Sequence, residues 1–389
     1  MSGDSLRIGF IPLVDAAPLI IAADKGFAAQ EGLSLDLVRE VSWSNVRDKL
    51  NIGLFDAAHM LAPVAIASSL GIGHVKVPLV APFVLALNGN AITVSPALHS
   101  ALTLAADGDV RDPKNSARAL ARVVSERRKR GANPLTFGMT FPFSCHNYFL
   151  RFWIAAAGLD PDEDVQLVVL PPSYMVDSLS SHQVDGFCVG APWNSVAVEL
   201  GVGEILHFGR DIVGRMPEKV LAVRAAWASN RGEALTRLLR ALGRAADFIN
   251  DPARIGETAA LLAAPNRIGV AADIVARMLK GRMRMTPGGP LHDIDDYILI
   301  GGAAARPDPN HAAWLYAQMV RWHQTALSAE SLEAARSCYR PDLYDLALSK
   351  PADAAPLYGD GIGAFAGPPF DGKDIAGHIA ALRFSNQNR

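Results

Sequence analysis

The sequence predicts an α/β protein built as two lobes. Three observations carry that reading. Strand-like runs alternate with helical segments of about 10–15 residues, the pattern of a mainly parallel sheet. The alternation restarts near residue 135. The chain has 389 residues, whereas a single hydrophobic core stops growing at about 250–300.

The elements follow in order. LRIGFIPL (6–13) reads as a strand. Asp15 stands as the N-cap of the next helix, with Pro18 in its first turn, and Gly32 stops that helix after Gln30. LSLDLVRE (33–40) alternates apolar and polar residues, a second strand. Ser42 or Ser44 caps the helix that contains NVRDKLNIG, and PVAIASSLGIG forms a third helix ended by glycines. Residues 75–95 make two extended runs around Pro82 and the turn Asn88-Gly89-Asn90. The stretch 96–134 is helical in its second half and carries the basic run Arg127, Arg128, Lys129 and Arg130, read as a solvated helix face or a partner surface.

The second series starts with the strand LTFGMTFP (135–142), the helix HNYFLRFWIAAAG and the strand VQLVVLPP (165–172). A helix in SYMVDSLSSHQVDG and the strand FCVG (187–190) complete it. KVLAVRAAWA (219–228) is a further strand entering a helix, 230–282 is helix-rich, and a Pro/Gly-rich tail surrounds YGDGIGAFAGPPFDG.

Composition narrows the function classes. A net charge of −2 gives no global attraction to nucleic acid or anionic membrane. No segment reaches the roughly 18 apolar residues that span a bilayer. The N-terminus shows no basic segment, apolar run and small-residue cleavage site in series, so the expected location is cytoplasmic. Three widely spaced cysteines, Cys145, Cys188 and Cys338, argue against a disulfide framework and a structural zinc site. The ten histidines form no HxxxH or HExxH motif, so no metal and no cofactor is expected.

In open α/β sheets, ligands gather beyond the carboxyl ends of the strands. Thr140, His146, Gly190 and Lys219 fall in or beside such segments, as do Trp43 and Asn90. Cys145-His146 is a poor catalytic dyad, because consecutive helical side chains diverge by about 100°. His146 reads as a pocket donor at a helix N-terminus or as a structural histidine. Trp43 is either a core aromatic or an indole N–H donor beside free helix-start amides. Gly190 would let backbone approach a ligand, and FCVGAPWN otherwise reads as a turn with a packed Trp193. Lys219 alone carries little weight, since most lysines are solvated.

Taken together, GFIPLVDAAPLIIAADKGF, SWSNVRDKL, FDAAHMLAP, LNGNAITVS, TFPFSCHNYFLRFWIAAAG, LPPSYMV, DGFCVGAPWN and PEKVLAVRA resemble the nitrate/bicarbonate family of ABC-transporter solute-binding proteins over residues 5–265. The resemblance implies a two-lobed type II periplasmic-binding-protein fold with a ligand cleft between the lobes. It implies one lobe from 1–95 plus 216–389 and another from 96–215. It also implies an oxyanion site at Trp43, Asn90, His146 and Lys219, with Asn90 where glutamine is frequent and Lys219 where bicarbonate binders carry an acidic residue. Thr140 and Gly190 join the expected ligand-binding set, and no residue is expected to be catalytic.

The branch without a leader resembles cytosolic nitrate/nitrite sensors, which hold an RNA-binding antiterminator regulator of the ANTAR type and release it on anion binding. The partner would then carry the nucleic-acid contacts. A transport subunit and an enzyme on the same fold are the alternatives.

Overall fold

A computed structural model of the chain describes residues 4–349 and 362–382. The start of the Pro/Gly-rich tail, 358–361, lies outside them. The first strands are β1 (Asp4–Phe10), β2 (Leu33–Arg39), β3 (Ala57–Leu61), β4 (Leu79–Asn88) and β5 (Asn90–Val94). Next come β6 (Thr136–Met139), β7 (Gln166–Val169), β8 (Gly186–Gly190), β9 (Glu204–Phe208) and β10 (Pro217–Arg224). Three short strands follow: β11 (Arg282–Arg284), β12 (Leu291–Asp293) and β13 (Ile298–Leu299).

The chain divides into two units. The first comprises Met1–Asn88, Met216–Lys280 and the described part of Ile298–Gly359. Its sheet runs β13-β4-β10-β3-β1-β2. β1 is parallel to β2 and β3, whereas β10 enters antiparallel between β3 and β4. The second unit comprises Gly89–Arg215, Gly281–Tyr297 and the described part of Asp360–Arg389. Its sheet runs β7-β6-β8-β5-β9, with β6 parallel to both neighbours and β5 antiparallel to both of its own.

Two sequence expectations change here. The sheets are mixed rather than mainly parallel, because β10 and β5 run against their partners; both are buried along nearly their whole length, so they read like the continuous buried runs of parallel strands. The unit boundary falls after Asn88 rather than at residue 95, and the C-terminal region is shared between the units rather than belonging to the first alone.

The helices that position the candidate residues form for local reasons. The first expected helix is broken into α1 (Ala17–Asp24) and α2 (Phe27–Gln30) by Gly26, whose φ of 72° is left-handed. α3 (Trp43–Asn51) is capped by Ser42, which accepts the Asn45 N–H. α4 (Ala62–Leu70) ends on the left-handed Gly71. α5 (Pro96–Ala105) and α6 (Pro113–Lys129) begin on Ser95 and Asp112 caps with proline at the first helical position. α7 (Cys145–Ala155) is capped by Ser144. All three cysteines are buried, and none is in a disulfide among the described residues. No helix among the described residues is long and apolar enough to cross a membrane.

Candidate functional site

In the first unit the site starts from Lys219, on β10 opposite Leu61 and Ala86. Its side chain is fully buried. Consecutive strand residues face opposite ways, so Glu218 and Lys219 should diverge. The pairing with β4 slips on both sides of Lys219. Such irregularities re-aim side chains, and here Glu218 Oε1 accepts from Lys219 Nζ at 2.7 Å. Asp15 Oδ2 lies 3.1 Å from the same ammonium. Asp15 is therefore an ion partner and not the expected cap: it sits in a 3₁₀ turn, Val14–Ala16, and α1 has no side-chain cap.

His59, in the middle of β3, completes the group. Its Nδ1 accepts the Ile11 N–H at 3.3 Å. The neutral ring therefore carries its proton on Nε2, which stands 2.9 Å from Asp15 Oδ1. Trp43, the first residue of α3, meets the His59 ring edge-on at 5.2 Å. The Lys219 ammonium lies 5.2 Å from the Trp43 ring centre, within cation–π range. Trp43 is buried, and its Nε1–H has no hydrogen-bond partner among the described residues. A buried donor left without a partner costs about 1–3 kcal/mol, and this one lies beside the Lys219 ammonium.

The charges reinforce one another. Burial alone would raise the Asp15 pKa, but the charge of Lys219, then the contact with the His59 ring, which is protonated only at acid pH, hold it at about 2. Burial alone would lower the Lys219 pKa; Asp15 and Glu218 outweigh it and raise the value. Burial also lowers the His59 pKa, against the pull of Asp15, so the ring is neutral at physiological pH.

The depressed Asp15 value makes an acid-stability prediction. Its contribution is complete above the ordinary value of 3.8 and is lost as pH falls through about 2, in total roughly 2 kcal/mol. Denaturant unfolding at pH 5 and at pH 2.5 should show the wild type losing more stability over that interval than Asp15→Asn. Equal losses would remove Asp15 as the titrating group.

The second unit supplies a separate set. Ser144 accepts the Asn147 N–H at 3.1 Å and donates to Phe141 O at 2.6 Å, while Asn147 Nδ2 donates to Pro142 O at 2.8 Å. These bonds fix the loop before α7. His146, second in the helix, is buried, and its Nδ1 lies 2.8 Å from Thr140 Oγ1. Thr140 thus fixes the orientation of the imidazole through Nδ1.

Asn90 opens β5 directly opposite Gly190 on β8. Its amide occupies the space a side chain at residue 209 would need: a Cβ on Gly209 would lie 1.7 Å from Asn90 Oδ1 and 3.0 Å from Phe149 on α7. Gly190 does not have a left-handed backbone, so no turn requires glycine there. Asn194 is structural, accepting from Thr93 Oγ1 at 2.8 Å and donating to Val189 O at 2.7 Å.

The structure thus brings Trp43 and Lys219 together in one unit, and Asn90 with Gly190 and Thr140 with His146 in the other. Sequence reasoning missed Asp15, His59 and Glu218 as members of the lysine cluster, and Gly209 as the support of Asn90. The PEK tripeptide was the one local hint for Glu218.

Residues 2–263 match the NMT1-like family.

 The nitrate import ATP-binding protein NrtC of Synechocystis sp. is 32% identical over 87% of this chain, which spans 49% of that longer protein. The nitrate/nitrite binding protein NrtA of Synechococcus elongatus is 30% identical over 97% of this chain and 86% of its own length. The crystal structure of the periplasmic nitrate-binding protein NrtA from Synechocystis superposes with a TM-score of 0.88 at 26% identity, covering 98% of this chain and 99% of that one. This chain therefore spans about half the length of some relatives and nearly all of others. The fold is that of the periplasmic binding proteins, and the chain belongs to the NMT1-like family, among the solute-binding proteins of the nitrate/bicarbonate type.

Proposed function

We propose that the chain binds nitrate or nitrite, with Trp43 and Lys219 as the candidate contacting residues of the first unit, and Asn90, His146, Thr140 and Gly190 as the candidate ligand-binding residues of the second. The observation that carries this reading is the Trp43 Nε1–H, without a hydrogen-bond partner among the described residues, beside a buried, charged ammonium. The names of the relatives support the same anion class.

The charge arrangement penalises a divalent anion more than a monovalent one. Lys219 is positive, Asp15 and Glu218 are negative and His59 is neutral, so these four side chains sum to −1. A lysine about 4 Å from an anion contributes on the order of 4 kcal/mol at an effective dielectric near 20. The two carboxylates offset part of that, and N–H donors must supply the rest. A micromolar site needs roughly −8 kcal/mol. A divalent anion would meet the same carboxylates with twice the repulsion, so sulfate is expected to bind far more weakly than nitrate.

Trp43→Phe tests the reading at one atom, keeping the ring and removing the donor. A hydrogen bond to a charged group contributes about 1.5–3 kcal/mol, so calorimetry should show nitrate affinity falling by roughly 10- to 100-fold. An unchanged affinity would remove the indole from the site.

At the level of biological role, the proposal is a cytoplasmic sensor. It holds an RNA-binding ANTAR-type antiterminator regulator and releases it when the anion binds. Release requires that the anion prefer the partner-free state. The second reading, a binding subunit of a nitrate transporter, fits the relatives equally well. Co-purification of the regulator, lost on adding nitrate, is the outcome the sensor predicts. A complex indifferent to nitrate, or none at all, would favour the transport reading.

A further inference from the structure

We infer that the groove between α5 and α6 is a docking site for an acidic amphipathic helix of a protein partner. The groove lies wholly within the second unit and encloses about 600 Å³. It goes beyond the anion site and does not depend on the identity of the proposed regulator.

The two walls differ in chemistry. α5, PALHSALTLA, contains no Asp, Glu, Lys or Arg. It presents Ala101 and Leu104 to the groove, and Leu104 is 89% exposed. The opposite wall carries Arg122, Arg127 and Arg130 from α6 and its C-cap. Leu98 and Leu135 are buried at the base.

The carboxylates that line the groove are already engaged. Glu126 accepts from Lys129 at 2.7 Å, and Asp185 accepts the Thr136 N–H at 2.8 Å. Among the arginines, Arg122 pairs with Asp107 and Arg127 donates to Asn133 O. The Arg130 guanidinium makes no hydrogen bond or ion pair with any described residue. In a chain of net charge −2 this leaves Arg127 and Arg130 as cations without a carboxylate partner among the described residues, on a wall that faces an uncharged helix.

The occupant that matches has leucine-like side chains on one stripe and carboxylates on the adjoining one. A trough between two helices receives a helix, laid in by its i, i+3, i+4 anchors. A bilayer would touch only the rim of such a trough, and the apolar base would stay uncovered.

The test uses the full chain and a fluorescein-labelled peptide of about 18 residues, long enough to hold a helix. Leu and Glu occupy opposite faces of it at helical spacing. A matching peptide with Lys for Glu and phosphatidylglycerol vesicles serve as comparisons. Anisotropy should show the acidic peptide binding, more weakly as salt rises. Leu104→Asp and Arg130→Glu should each weaken it by about tenfold or more, the scale of a lost interface anchor. Both residues are exposed, so circular dichroism should show both variants folded. No binding of the acidic peptide, equal binding of the Lys peptide, or affinity unaltered in both variants would overturn the proposal. Binding of the vesicles in place of the acidic peptide would overturn it in favour of a membrane surface.

Discussion

Replacing Lys219 with methionine is expected to abolish nitrate binding and to destabilise the first unit. The ammonium holds two buried carboxylates, at 3.1 Å and 2.7 Å. Removing one partner of a buried ion pair costs about 3–5 kcal/mol, because the remaining charge is left without compensation. Here two carboxylates remain, and Asp15 is forced toward protonation. The same change leaves an anion facing negative charge only. Nitrate affinity should fall by at least about a hundredfold, the scale of the lost Coulomb attraction after partial offset.

A second variant separates the two effects. Glu218→Gln combined with Lys219→Met removes one stranded charge and should recover part of the stability, with no recovery of binding. Thermal unfolding and calorimetry on both proteins check this. A single variant that binds nitrate like the wild type would take Lys219 out of the site.

The second large effect is expected at a residue that need not touch the anion. Gly209→Ala places a Cβ 1.7 Å from Asn90 Oδ1, far inside any tolerated contact. The amide must swing away or the start of β5 must shift. Affinity should fall by about tenfold, the worth of one lost hydrogen bond. The diagnostic is non-additivity. In an Asn90→Ala background the clash has no target, so adding Gly209→Ala should change little. Additive losses would show that Gly209 acts elsewhere than through Asn90.

Much of this was legible in the sequence, and the exceptions have physical causes. Ser42 was recognisable as a cap because capping is a local matter of four residues. The extended runs on either side of Asn88-Gly89-Asn90 were legible from turn chemistry. The resemblance supplied Trp43, Asn90, His146 and Lys219 as a set, which spacing alone could not do.

Asp15 was misread because its neighbours are those of a helix start, while its true partners are 44 and 204 residues away, at His59 and Lys219. Glu218 was hidden by strand alternation, which the irregular pairing around Lys219 overrides. His59 looked like any lone histidine in an apolar strand. Gly209 opens a four-residue helix, and nothing in HFGR shows that an amide from β5 fills the place of its side chain. Long-range contacts set these roles, and local pattern carries little of that information.

The central claim is that the indole N–H of Trp43 donates to the bound anion. Nitrogen-15 labelling of the full chain gives one indole signal for each of its six tryptophans, and Trp43→Phe identifies the one that belongs to residue 43. Titration with nitrate is predicted to move that resonance and saturate it at the affinity measured by calorimetry. Nitrate binding that leaves the resonance in place, or no nitrate binding at all, would contradict the account.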